Sequence, residues 1–102
     1  MRILLCNAPV ADAAKLAEWL VTDLGVACVN LSAPVDSLYV WEGALCRDRE
    51  VMMVIKVASE RVTAVVEALA TKHPYDVPEV LVLGVDETLS YQPYLRWVEG
   101  KS

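Results

Sequence analysis

The stretch Val51-Met52-Met53-Val54-Ile55 constrains this chain more than any other. It is the longest uninterrupted apolar run, it is rich in β-branched residues, and it does not alternate with polar ones. A strand of this kind is buried on both faces. A chain of 102 residues has few elements with which to cover two faces, and a domain of this size buries a limited share of its surface. Yet 56% of the residues are hydrophobic, above the usual fraction for a soluble domain. The second face of this strand is therefore expected to lie against another subunit, with a very dense monomeric core as the alternative.

The flanking residues give the strand its neighbours. Leu45 to Val57 reads as the return arm of a long hairpin whose turn is Glu42-Gly43-Ala44 and whose outgoing arm is Ser37-Leu38-Tyr39-Val40-Trp41. Val26 to Leu31 reads as the preceding strand, and Ser32-Ala33-Pro34 as a break or bulge, because proline donates nothing to a ladder. Arg2 to Asn7 reads as a first strand. A helix follows, with Asp12 as its cap, Leu16, Ala17, Leu20, Val21 and Leu24 as its apolar stripe, and Gly25 at its left-handed end. Ser59 is the candidate cap of a second helix carrying Val62, Val65, Val66 and Leu69, which His73-Pro74 terminates. Val80 to Val85 reads as a fourth strand and Ser90 to Val98 as a short closing helix with Pro93 in its first turn. The order β-α-β-β-α-β plus a short helix predicts an α+β, ferredoxin-like sandwich in one domain spanning residues 1–102.

Charge and composition exclude several classes. The net charge is -5, and the 9 Lys and Arg residues are scattered, which disfavours nucleic acid as a partner. No apolar run approaches the roughly 20 residues that span a bilayer, so no membrane partner is expected. The first residues lack the long apolar segment of a signal peptide. Three widely spaced cysteines, Cys6, Cys28 and Cys46, do not form a disulfide framework, and they point to a reducing cytoplasm. Neither a nucleophile elbow nor a glycine-rich phosphate loop occurs, and an enzyme is not expected.

Several segments, in order, resemble the CutA family of divalent-cation-tolerance proteins: Cys6-Asn7-Ala8-Pro9, Ala27-Cys28-Val29-Asn30, Ser37 to Gly43, Glu50 to Lys56, His73-Pro74-Tyr75-Asp76-Val77-Pro78-Glu79 and Tyr94-Leu95-Arg96-Trp97. The resemblance covers nearly the whole chain, and the His-Pro-Tyr-x-x-Pro-Glu run is its most specific part. It implies a PII-like homotrimer in which sheets of neighbouring subunits join through the long hairpin. It also implies tolerance of divalent cations, with copper or another divalent metal ion as the bound partner. The alternative is a trimeric PII-like scaffold or signalling module without a specific metal function. The chain departs from the family pattern at Asn7, at Gly25-Val26-Ala27-Cys28, at Ala44 and at Val57, and it carries an additional Cys46.

The candidate metal ligands are His73, Glu79 and Cys6. His73, the single histidine, is either a ligand or a helix-terminal residue suited to the helix dipole. Glu79 resembles a second oxygen ligand of the family, held by Pro74 and Pro78. Cys6 resembles a first-strand thiol, whose thiolate suits Cu(I), or is a small buried apolar residue. Tyr39, Trp41, Glu42, Lys56, Tyr75, Tyr94 and Trp97 are candidates for a cleft between subunits, where aromatic rings with polar tips suit partly wet surfaces.

Overall fold

A computed structural model describes residues 1–100. The chain forms β1 (Arg2–Pro9), α1 (Val10–Thr22), β2 (Cys28–Leu31), β3 (Val35–Trp41), β4 (Ala44–Val57), α2 (Val62–Lys72), β5 (Leu81–Gly84) and α3 (Gln92–Val98), with a 3-10 turn at Ser59–Arg61. All strands lie in one antiparallel sheet of order β2-β4-β1-β5, and β3 extends the pairing of β4 beyond β2. This is the split arrangement that the order of elements predicts.

The hairpin is one continuous strand, β4, on one side and two strands, β2 and β3, on the other. Leu31 lies opposite Met53, whereas Val35 lies opposite Glu50. Four residues of one arm thus span three of the other, so Ser32-Ala33-Pro34 absorbs one extra residue, as a bulge does. At the tip, Glu42 and Gly43 both have positive φ, 50° and 79°. A two-residue turn of this twist matches the twist of the flanking strands. At about 3.3 Å per residue, the 14 residues of β4 account for the long 47 Å axis of a molecule that is otherwise 28 by 24 Å.

Helices α1 and α2 cover one face of the sheet. Leu4, Cys6 and Ala8 of β1 and Val51, Met53, Ile55 and Val57 of β4 point into a core closed by Ala13, Leu16, Ala17 and Leu20 of α1 and by Val65 and Leu69 of α2. Helix α3 covers only one end of the opposite face, where Leu95 and Val98 pack with Met1, Ile3, Ala27 and Val85. The rest of that face is open. Met52 is 42% exposed and Leu81 is 53% exposed. Register places Leu5, Val54 and Leu83 on the same side. Within one chain, the apolar run of β4 is therefore buried on one face, and only alternate members of it are covered.

Local capping differs from expectation. α1 begins directly after Pro9, whose fixed φ leads into the first turn, so Asp12 lies inside that turn and caps nothing. It still sits where a carboxylate favours the helix dipole. Ser59 opens the 3-10 turn instead of capping α2, and its hydroxyl and amide donate to Glu99. β2, β5 and α3 are each shorter than the sequence predicts, and Val21 is exposed on the outer side of α1. Pro74 ends α2 as expected, and His73 has extended geometry.

Leu20 and Leu69 are both fully buried in the helix-covered core. Leu20→Ala is expected to lower unfolding free energy by about 2–5 kcal/mol, read by chemical denaturation. A loss under about 1 kcal/mol would contradict this packing.

Candidate functional site

The segment after α2 turns back over the root of the β3–β4 hairpin, and a cavity of about 660 Å³ lies between them. Tyr39 and Trp41 of β3, Asp48 and Glu50 of β4, and Tyr75 and Glu79 of the loop form most of its wall. Asn7, Ser37, Leu38, Pro74, Asp76 and Val77 complete it.

Each wall is held by identifiable bonds. Strand period puts Asp48 and Glu50 on one side of β4, with Tyr39 across from Cys46 on the same side. The Tyr39 hydroxyl donates to Asp48, and this bond, with some burial, pushes its pKa up to about 12. The Tyr75 hydroxyl donates to Glu50 at 2.9 Å. Burial, and then that bond, raises the Tyr75 pKa as well. Arg47 and Arg49 alternate with these acids and pair with Asp36, at 4.0 and 3.7 Å, on the other side of the hairpin.

His73 anchors the loop. It is 6% exposed, and both ring nitrogens are engaged. Nδ1 accepts the amide of Tyr75 at 3.1 Å, so Nε2 carries the proton and donates to the carbonyl of Asn7 at 2.7 Å. The ring also packs on Tyr75 at 4.8 Å. Cys6 lies below, fully buried in the core. Burial, and then the charges of Glu79 and Glu50, push its thiol up to about 12.

This arrangement does not fit a metal centre built from Cys6, His73 and Glu79. Metals bind thiolate and free imidazole nitrogen. Here the thiol holds its proton and neither histidine nitrogen is free. Among the described residues, no three His, Cys, Asp or Glu side chains converge to hold an ion.

The residues expected at a subunit cleft fall in four places. Tyr39, Trp41 and Tyr75 line the cavity with Glu79. Lys56 lies farther along β4, in the part paired with β2, donating to Asn30 and sitting 4.0 Å from the Cys28 sulfur. Tyr94 and Trp97 belong to α3, with ring centroids 5.8 Å apart, and burial raises the Tyr94 pKa. Glu42 is at the hairpin tip. The sequence reading missed Asp48 and Glu50. The available signal was their spacing of two along the strand, opposite the aromatic arm.

Comparison with known proteins places this architecture. The family profile described as CutA1 divalent ion tolerance protein matches residues 2–101. The chain belongs to this family. It is 39% identical over 99 residues to the divalent-cation tolerance protein CutA of Escherichia coli, covering 96% of this chain and 87% of that protein. It is 40% identical over 90 residues to protein CutA of Bos taurus, which covers 88% of this chain but only 50% of the relative. The chain thus spans about half the length of the animal relatives it matches. Among solved structures, the PII-like protein CutA from Nostoc sp. PCC 7120 in apo form superposes with a TM-score of 0.93 at 37% identity, covering 99% of this chain and 96% of that one. CutA of Pyrococcus horikoshii superposes with a TM-score of 0.89 at 29% identity, over 100% and 99% of the two chains. The fold is that of the PII-like CutA proteins. No helix among the described residues is long and apolar enough to cross a membrane.

Two outcomes follow from the bonds at the cavity. Tyr75→Phe strips a buried carboxylate of its donor, and a loss of about 1–3 kcal/mol is expected in a denaturant melt. A neutral result would mean that the Tyr75–Glu50 bond contributes nothing. Cys6 contributes part of an alkaline pH dependence. Its folded pKa is raised from 9.0, so its stabilising contribution is complete below pH 9 and is lost as pH rises toward 12. Cys6→Ala should flatten part of this alkaline decline, and an unchanged decline would show that the thiol is not the group concerned.

Proposed function

We propose that this chain assembles as a cytoplasmic homotrimer and works as a PII-like binding module, with its ligand cavity at the root of the hairpin. The open apolar sheet face carries this reading. Leu5, Met52, Val54, Leu81 and Leu83 form a surface that water solvates poorly, next to unpaired strand edges at β5 and β3. A soluble chain covers such a face by association. The PII-like structural relatives support a closed assembly in which neighbouring copies do the covering.

On this reading the protein is not an enzyme, and its link to divalent cations does not run through Cys6, His73 and Glu79. Direct binding of copper there would require His73 to lose two hydrogen bonds and Cys6 to lose a proton in an apolar core. His73 instead ties the loop to β1, which gives the cavity a fixed floor.

Two measurements test the reading. Light scattering should give a mass near three times 11.2 kDa. Met52→Asp should give a monomer with unchanged circular dichroism, because a charge on the open face opposes association but leaves the helix-covered core intact. A trimeric Met52→Asp protein would remove that face from the interface. Calorimetric titration of the reduced protein with copper should show no saturable site of one ion per subunit that Glu79→Gln or His73→Ala abolishes. Such a site, lost in either variant, would overturn the module reading in favour of a metal centre.

A further inference from the structure

We propose that Cys28 and Lys56 are a redox-sensitive pair that closes into a covalent sulfur–nitrogen bond between β2 and β4 when the protein meets a peroxide. Neither residue lines the cavity at the hairpin root.

The strand ladder sets the two side chains face to face. Cys28 lies directly opposite Lys56 in the antiparallel pairing of β2 with β4. Side chains so placed project to the same side of the sheet. The Lys56 ammonium lies 4.0 Å from the Cys28 sulfur. Asn30, two positions along β2 and so on the same side, accepts from the same ammonium through its side-chain oxygen. That contact holds the flexible lysine stem over β2, beside the sulfur. Among the described residues no carboxylate pairs with Lys56, so its head group is held by Asn30 and Cys28 alone.

The three cysteines differ in what surrounds them. Cys6 is fully buried, and its thiol is pushed up to about 12, which makes it inert. Cys46 donates to the Ala44 carbonyl at 3.7 Å, and no amine is among its bonded partners in the described residues. Cys28 is half-buried, open to a small oxidant, and has an amine in contact. A cysteine sulfenic acid condenses with a thiol or with a nitrogen held near it. All three cysteines are free, and the partner that the ladder gives Cys28 is a nitrogen.

The chemistry needs one equivalent of hydrogen peroxide. The Cys28 thiolate attacks a peroxide oxygen. An S–O bond forms, the O–O bond breaks, and the leaving hydroxide becomes water. Sulfur is oxidised by two electrons and the peroxide is reduced. Lys56, having given a proton to solvent, then attacks the sulfur through its nitrogen lone pair. The S–N bond forms, the S–O bond breaks, and the departing hydroxide takes a proton from nitrogen as a second water. Relative to free thiol and amine, the chain loses two hydrogen atoms and one positive charge. A thiol reverses the link by attacking sulfur and releasing the amine.

Peptide mapping by mass spectrometry of the intact, folded protein after one equivalent of hydrogen peroxide tests the proposal. The Cys28 and Lys56 peptides should appear joined, about 2 Da below the sum of the two, and dithiothreitol should separate them. Lys56→Arg keeps the cation but removes the amine. In that variant the linked peptide should vanish, and labelling of Cys28 by dimedone, which traps sulfenic acids, should rise at least about tenfold. Circular dichroism checks that the variant folds. Absence of the linked peptide in the unmodified sequence, or equal dimedone labelling of both proteins, would overturn the proposal. A linked pair that retains one oxygen would overturn the direct S–N bond, and a disulfide from Cys28 to Cys46 would show that sulfur outcompetes the lysine.

Discussion

Strand β4 pairs with three other strands, and every other part of the molecule is placed by that pairing. Its C-terminal half lies between β1 and β2, and its N-terminal half carries β3 out into the hairpin. The two halves differ in chemistry. Val51 to Ile55 supply apolar side chains to both faces of the sheet, whereas Arg47 to Glu50 place bases on one side of the hairpin and acids on the other. One continuous strand thus sets the helix-covered core, the uncovered face and the acidic wall of the cavity.

The cavity depends on a second constraint, the rigid segment after α2. Pro74 forces His73 out of helical geometry, and the His73 ring then bridges two backbone groups, the Asn7 carbonyl and the Tyr75 amide. That bridge sets Tyr75 where its hydroxyl meets Glu50. The same bonds that make the loop stiff occupy the nitrogens a metal would need. Stiffness and metal ligation are alternatives for this histidine, and the geometry favours stiffness.

Much of the fold was legible because its signals are local. Gly25 and Gly43 adopt the positive φ that their positions at a helix end and a tight turn require, and Pro74 and Pro93 bound helices as proline does. The one-residue shift at Ser32-Ala33-Pro34 was legible as a break, and only the registers of both arms reveal its size. Asp12 and Ser59 misled because Pro9 and the 3-10 turn set the helix starts ahead of any side-chain cap. The aromatic members of the cavity stood out by residue type and by resemblance to the CutA family. Glu50 did not, since a carboxylate beside an apolar run reads as a solvated strand end until the loop 25 residues away is seen to cover it. The role of His73 was illegible for the same reason, since its partner at Asn7 is 66 residues distant.

The uncovered half of the sheet is where these constraints meet. Its apolar side chains are the other members of the run that builds the core, so the uncovered face could not be made polar and leave the run intact. Radical footprinting of Met52 in the native protein at micromolar concentration tests directly whether this face is covered by other copies. Oxidation of Met52 much slower than in the unfolded chain is the predicted result, although within a single chain this residue is 42% exposed. Oxidation of Met52 in the folded protein as fast as in the unfolded chain would contradict the assembly, and with it the physical reason given for the apolar excess of this sequence.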